Sequence, residues 1–226
     1  MKSIGLLGRK IGMTTIFDES GNAVPVTVLS MGPCYVSQKK TVAKDGYDAI
    51  QLGFEKTKSR YERRKVSGKI VRKLVAPNRP MAGHFKKANI DPLKHMVEFR
   101  GMEVEKYQIG QELKVADVFE ADTRVDVTGV SKGRGFAGGV KRWHYKGGHT
   151  THGSMHHRAP GSIGASSDPS NVHKNKHMPG HMGNVNRTVQ NLKVVKVDVD
   201  KNLLLVRGAV PGVNGGLIVC KRAILA

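Results

Sequence analysis

Val195-Lys196-Val197-Asp198-Val199 and Leu203-Leu204-Leu205-Val206-Arg207 flank the polar triplet Asp200-Lys201-Asn202. The first run alternates apolar and charged residues with a period of two, the pattern of a half-buried strand, and the triplet is turn-forming. Together they read as a β-hairpin near the C-terminus. Outward from it, short β-branched runs recur at 24–29, 48–54, 125–130, 192–199, 203–206 and 217–220. Many short strands, Gly-rich turns and few helical periodicities predict a mainly β fold. A closed antiparallel β-barrel with little helix suits this pattern, because closure removes edges that would otherwise pair with other chains. Helix is expected only at 82–89 and for a turn or two at 136–142.

The charge is segregated. Of 226 residues, 38 are Lys or Arg and 18 are Asp or Glu, a formal net charge of +20. Residues 56–90 hold 12 of the bases with Glu62 as the sole acid, and residues 131–187 hold 9 with Asp168 as the sole acid. The other 134 positions carry 17 bases and 16 acids. The sequence thus predicts a near-neutral body made of 1–55, 91–130 and 188–226, with a basic insertion at 56–90 and a Gly/His-rich basic finger at 131–187. Segments that repel themselves stay extended until a polyanion neutralises them, which points to nucleic acid. An excursion of more than about 50 structureless residues is abnormal in a compact domain unless a partner orders it.

The finger's residues narrow the chemistry. Gly133-Arg134-Gly135-Phe136-Ala137-Gly138 matches the dinucleotide-binding pattern G-x-G-x-x-G, but no acid lies about 20 positions on to hold a ribose. The glycines are better read as letting backbone approach phosphates. Arg134-Gly135-Phe136-Ala137 also opens like an RNA-recognition motif, yet Gly138 and Gly139 replace its next two positions. Eight of the ten histidines lie between His144 and His181. Without a cysteine in the segment, an H-E-x-x-H motif or a carboxylate besides Asp168, they are read as polar rings for RNA rather than as zinc ligands. Trp143, the single tryptophan, sits between Lys141-Arg142 and His144-Tyr145, where rings among cations suit stacking on bases. The Pro-Gly turns at Pro160-Gly161 and Pro179-Gly180 mark sharp bends of the excursion.

The RNA-contacting set is therefore Lys132, Arg134, Lys141, Arg142, Trp143, His144, Lys146, His149, His152, His156, His157, Arg158, Lys174, Lys176, His181 and Arg187, joined by Arg60, Arg63, Arg64 and Lys65. No nucleophile elbow, P-loop or carboxylate pair is recognisable, so no catalytic residue, metal or cofactor is assigned. Cys34 and Cys220 lie in apolar strand contexts and are expected to be buried free thiols. No run of 18 apolar residues and no signal peptide is seen, so a cytoplasmic chain without a membrane partner is expected.

Gly5-Leu6-Leu7-Gly8-Arg9-Lys10-Ile11-Gly12-Met13-Thr14 resembles the opening of the bacterial large-subunit ribosomal protein three family. Ala82-Gly83-His84-Phe85, Val125-Asp126-Val127-Thr128-Gly129, and the stretches 132–143, 157–164 and 202–211 match the same family in order. The resemblance implies a β-barrel of the kind shared with translation elongation factors, bound near the 3′ end of the large ribosomal RNA and acting early in subunit assembly. It further implies a finger reaching toward the peptidyl-transferase centre, with neighbouring ribosomal proteins as partners. Two departures are visible. Some members carry a methylated glutamine where this chain has Gly148, and residues 57–75 are longer and more basic than in relatives. Two other classes stay open on the residues alone: an enzyme holding a nucleotide on the Gly-rich segment, and an RNA chaperone acting outside the ribosome.

Overall fold

The computed structural model describes residues 5–57, 60–66, 69–75, 78–100 and 104–223, with backbone alone for 60–66 and 69–75. Its elements are β1 (Gly5–Phe17), β2 (Ala23–Met31), β3 (Cys34–Lys40), α1 (Val42–Asp45), β4 (Ala49–Lys56), β5 (Arg60–Val66), β6 (Lys69–Val75), α2 (Arg79–Lys87) and β7 (Leu93–Arg100). After a 3-10 turn come β8 (Glu112–Leu113), α3 (Val115–Val118), β9 (Arg124–Val130), β10 (Gly135–Ala137), α4 (Gly139–Trp143), β11 (Gly180–Met182), β12 (Asn186–Asp198), β13 (Leu203–Arg207) and β14 (Leu217–Arg222). The protein is mainly β, as the sequence predicts, and the described strand pairings are antiparallel. Two units are distinct: Ser131–Asn186 forms one, and the chain before and after it forms the other.

In the larger unit, six strands follow one another in a ring of order β1-β14-β9-β12-β13-β2, with β2 pairing back onto β1. All six runs singled out in the sequence fall on strands, five of them in this ring. The hairpin is present: Asp198 faces Leu203 and Val197 faces Leu204, and the Asp198 carboxylate accepts the Lys201 N–H across the turn (3.1 Å). Its phase differs from simple alternation. A bulge between Val194 and Lys196 turns Val194 fully inward, and Val199 lies past the end of β12, exposed in the turn. One extra residue in a strand reverses which face later side chains take.

A separate four-stranded sheet, β7-β4-β3-β8, shares the core with the ring. Leu6, Leu29, Val127, Val206 and Ile218 of the ring and Val36, Ile50, Leu52 and Phe99 of this sheet belong to one buried cluster. Close approach fixes parts of the N-terminal motif. A Cβ at Gly8 would overlap the Ser30 carbonyl and the Met31 sulfur, so only glycine fits there. Lys10, buried in the same strand, donates from Nζ to the Val210 carbonyl (2.8 Å). Cys34 and Cys220 are buried and unlinked, as expected.

The stretch 56–90 is more ordered than its charge suggests. Lys56 ends β4, β5 and β6 pair in register from Arg60 with Val75 to Val66 with Lys69, and α2 buries Phe85 completely. An antiparallel ladder satisfies its own backbone, and the helix is linked to β4 by His84, whose Nε2 lies 3.0 Å from Gln51 Oε1. The helix also begins at Arg79 rather than 82, since Pro80 is tolerated in a first helical turn, where its missing N–H has no partner to lose. Among the described residues no helix is long and apolar enough to cross a membrane.

Candidate nucleic-acid interface

Ser131–Asn186 has almost no interior. Of its residues only Ala137 and Gly139 are buried, and both are small. It is nevertheless not the structureless loop the composition suggests. The two chain ends are zipped together: Ser131 N–H donates to the Val185 carbonyl (2.9 Å), Arg134 N–H to the Met182 carbonyl (2.8 Å), and β10 pairs with β11. Polar side chains then grip carbonyls across the unit. Arg142 donates to the Met178 carbonyl (2.7 Å), Trp143 Nε1 donates to the same oxygen (2.8 Å), and the Tyr145 hydroxyl donates to the His177 carbonyl (2.5 Å).

Farther along, Gly148 N–H donates to the His157 carbonyl (3.0 Å), closing the loop 149–156. The backbones meet so tightly that a Cβ on Gly148 would overlap the His156 carbonyl oxygen. His157 Nδ1 lies 3.1 Å from the His149 carbonyl. A carbonyl only accepts, so Nδ1 carries the proton and Nε2 is left for another partner. An open pocket of about 350 Å³ beside this loop is lined by Tyr145, Lys146, Gly147, His156, Pro160 and Lys176, among others.

The predicted contact residues are placed as follows. Lys132, Arg134, Lys141, His144, Lys146, His149, His152, His156, His157, Arg158, Lys174, Lys176 and His181 are exposed in this unit, and Arg187 is exposed on β12. Arg142 is half-buried and committed to Met178 and to the face of Trp143, 5.1 Å from the ring centroid. Trp143 is 37% exposed and stacks on His177, with centroids 3.9 Å apart and planes 3° from parallel. Its N–H and a ring face are thus engaged inside the unit, so it braces the fold rather than standing free. Arg60, Arg63, Arg64 and Lys65 lie on β5, and their side chains are outside the described residues.

Sequence reasoning missed two residues. His177 is the stacking partner of Trp143, and Phe136, 80% exposed, points outward from β10. The aromatic within Arg134-Gly135-Phe136-Ala137 was the available signal for the second; the register with β11 that orients it was not readable. Among the described residues no group of His, Cys, Asp and Glu is arranged to hold a metal ion.

The arrangement is a surface of cations and rings on a backbone frame, with Asp168 as its only acid. Residues 33–202, well over half of the chain, match the family described as ribosomal protein L3. The chain belongs to the ribosomal protein L3 family. That family is a structural constituent of the large ribosomal subunit, binding ribosomal RNA among other ribosomal proteins, and is not an enzyme family. The L3 match spans the whole basic unit as well as strands of both sheets.

Proposed function

We propose that this L3 protein anchors large-subunit ribosomal RNA near its 3′ end early in assembly, with 131–187 serving as a finger that enters the RNA toward the peptidyl-transferase centre. The six-stranded ring then acts as a closed barrel of the kind shared with translation elongation factors, holding the finger's two ends. The contact residues are the exposed cations and histidines of 131–187 together with Arg60, Arg63, Arg64 and Lys65.

One observation carries this reading: Ser131–Asn186 has eight Lys or Arg against Asp168, and buries only Ala137 and Gly139. Ordering a residue costs about 1–2 kcal/mol, whereas a local hydrogen bond returns only about 0.5–1.5 kcal/mol net. Without apolar burial the balance is closed by a partner, and a polyanion answers that charge. Phosphates take the cations, and the irregular rings suit folded or single-stranded RNA more than a duplex groove. The test is sedimentation of a lysate. The chain should stay with large subunits through a high-salt wash; release into the free fraction would instead favour a transient RNA chaperone.

A further inference from the structure

We propose that Phe136 and His181 form a platform that stacks an unpaired RNA base, a contact resting on the RNA-binding reading of Ser131–Asn186. The two residues are directly paired across the β10–β11 ribbon. Opposed residues of an antiparallel pair lie on the same face with Cβ atoms about 4.5–5.5 Å apart. Both are exposed, Phe136 at 80%, while the next residue, Ala137, is buried. Two positions on from Phe136, Gly138 carries no side chain, and a Cβ built there meets no atom within 4 Å. A flat ligand therefore has room on the ring.

The occupant follows from charge. The exposed cations Lys132 and Arg134 immediately precede the ribbon, and the unit's only carboxylate is Asp168. A base delivers a π-face to Phe136 and brings its own phosphate to those cations, satisfying both features at once. A protein surface would have to bring an apolar pocket and acids together. Trp143 is less available, since its indole N–H is held by Met178, one ring face by His177, and Arg142 lies 5.1 Å from the ring centroid. Every base has a π-face, so the site selects an unstacked nucleotide rather than a sequence.

The experiment titrates protein-free large-subunit ribosomal RNA with the full chain and with Phe136→Leu, Phe136→Tyr and His181→Ala over a salt series. Leucine keeps apolar bulk but has no π-face. Phe136→Leu should weaken binding about 5- to 140-fold, the range that stacking of one base supports. Its slope of log affinity against log salt should be unchanged, because no phosphate contact is removed. Phe136→Tyr should bind like the unaltered chain and His181→Ala should fall between. Unaltered affinity for Phe136→Leu, as a protein partner at this face would give, overturns the platform alone. Failure of the unaltered chain to bind this RNA overturns the RNA reading of the unit, and the platform with it.

Discussion

Excising Ser131–Asn186 separates the two jobs assigned to this chain. The cut ends meet: on either side of it, the hydroxyls of Thr128 and Thr188 lie 2.8 Å apart, so a Gly/Ser linker of about seven residues closes Val130 to Arg187 without strain. The segment removed contributes only Ala137 and Gly139 to the buried residues, while the large cluster around Leu6, Ile50 and Phe99 stays whole. Shortening the loop about eightfold is three halvings, and each favours the folded state by about 0.6 kcal/mol. The body's thermal midpoint should hold or rise by up to about 8 °C. RNA binding changes in the opposite sense. If between half and all of the eight Lys and Arg of the unit meet phosphates, the slope of log affinity against log salt should shrink by about 3 to 7. Calorimetry and a salt titration on the same preparation read both. A lowered midpoint or a lost cooperative transition would refute the division into body and finger, and an unchanged slope would refute the finger's phosphate contacts.

Gly148→Ala should break the Gly148–His157 hydrogen bond by driving a methyl into the His156 carbonyl, so amides of 148–157 should exchange faster while the body's midpoint holds. The Glu98 carboxyl is held down at about 2 by hydrogen bonds from Lys40 (2.6 Å) and Arg100 (2.8 Å). A depressed carboxylate stabilises the fold above its unfolded value and loses that as pH falls through the folded one. The destabilisation caused by Glu98→Gln should therefore be full at pH 7, shrink below about 4.5 and vanish near pH 2; a difference independent of pH would contradict it. Burial pushes the Cys34 thiol up to about 12 and also raises Cys220, so neither should react with a thiol reagent at pH 8 until the body unfolds. Reaction of the native chain would show that these strands open locally.

Five ring strands and β4 were legible from short apolar β-branched runs, the alternating first strand of the hairpin 195–207 most of all. Strands β3 and β7 were not, because they carry polar residues that pair with neighbours in space. Lys40 bonds Glu98 and Ser37 bonds Gln51, partnerships that a period-two reading scores as breaks. The bulge at β12 is equally silent, since backbone register and not composition fixes it. In the finger, composition revealed the kind of surface: cations and rings without acids. Which ring faces outward was hidden. Trp143 and Phe136 both sit among basic and glycine residues, yet Met178 and His177 claim the first and the β10–β11 register frees the second.

Ultraviolet cross-linking of purified large subunits, followed by mass spectrometry of the RNA-bound peptides, tests the central claim most directly. Cross-links should concentrate within 131–187, with Phe136 and the histidines between His144 and His181 among the attached residues. RNA-bound peptides confined to the two sheets of the body, with 131–187 recovered unmodified, would contradict it.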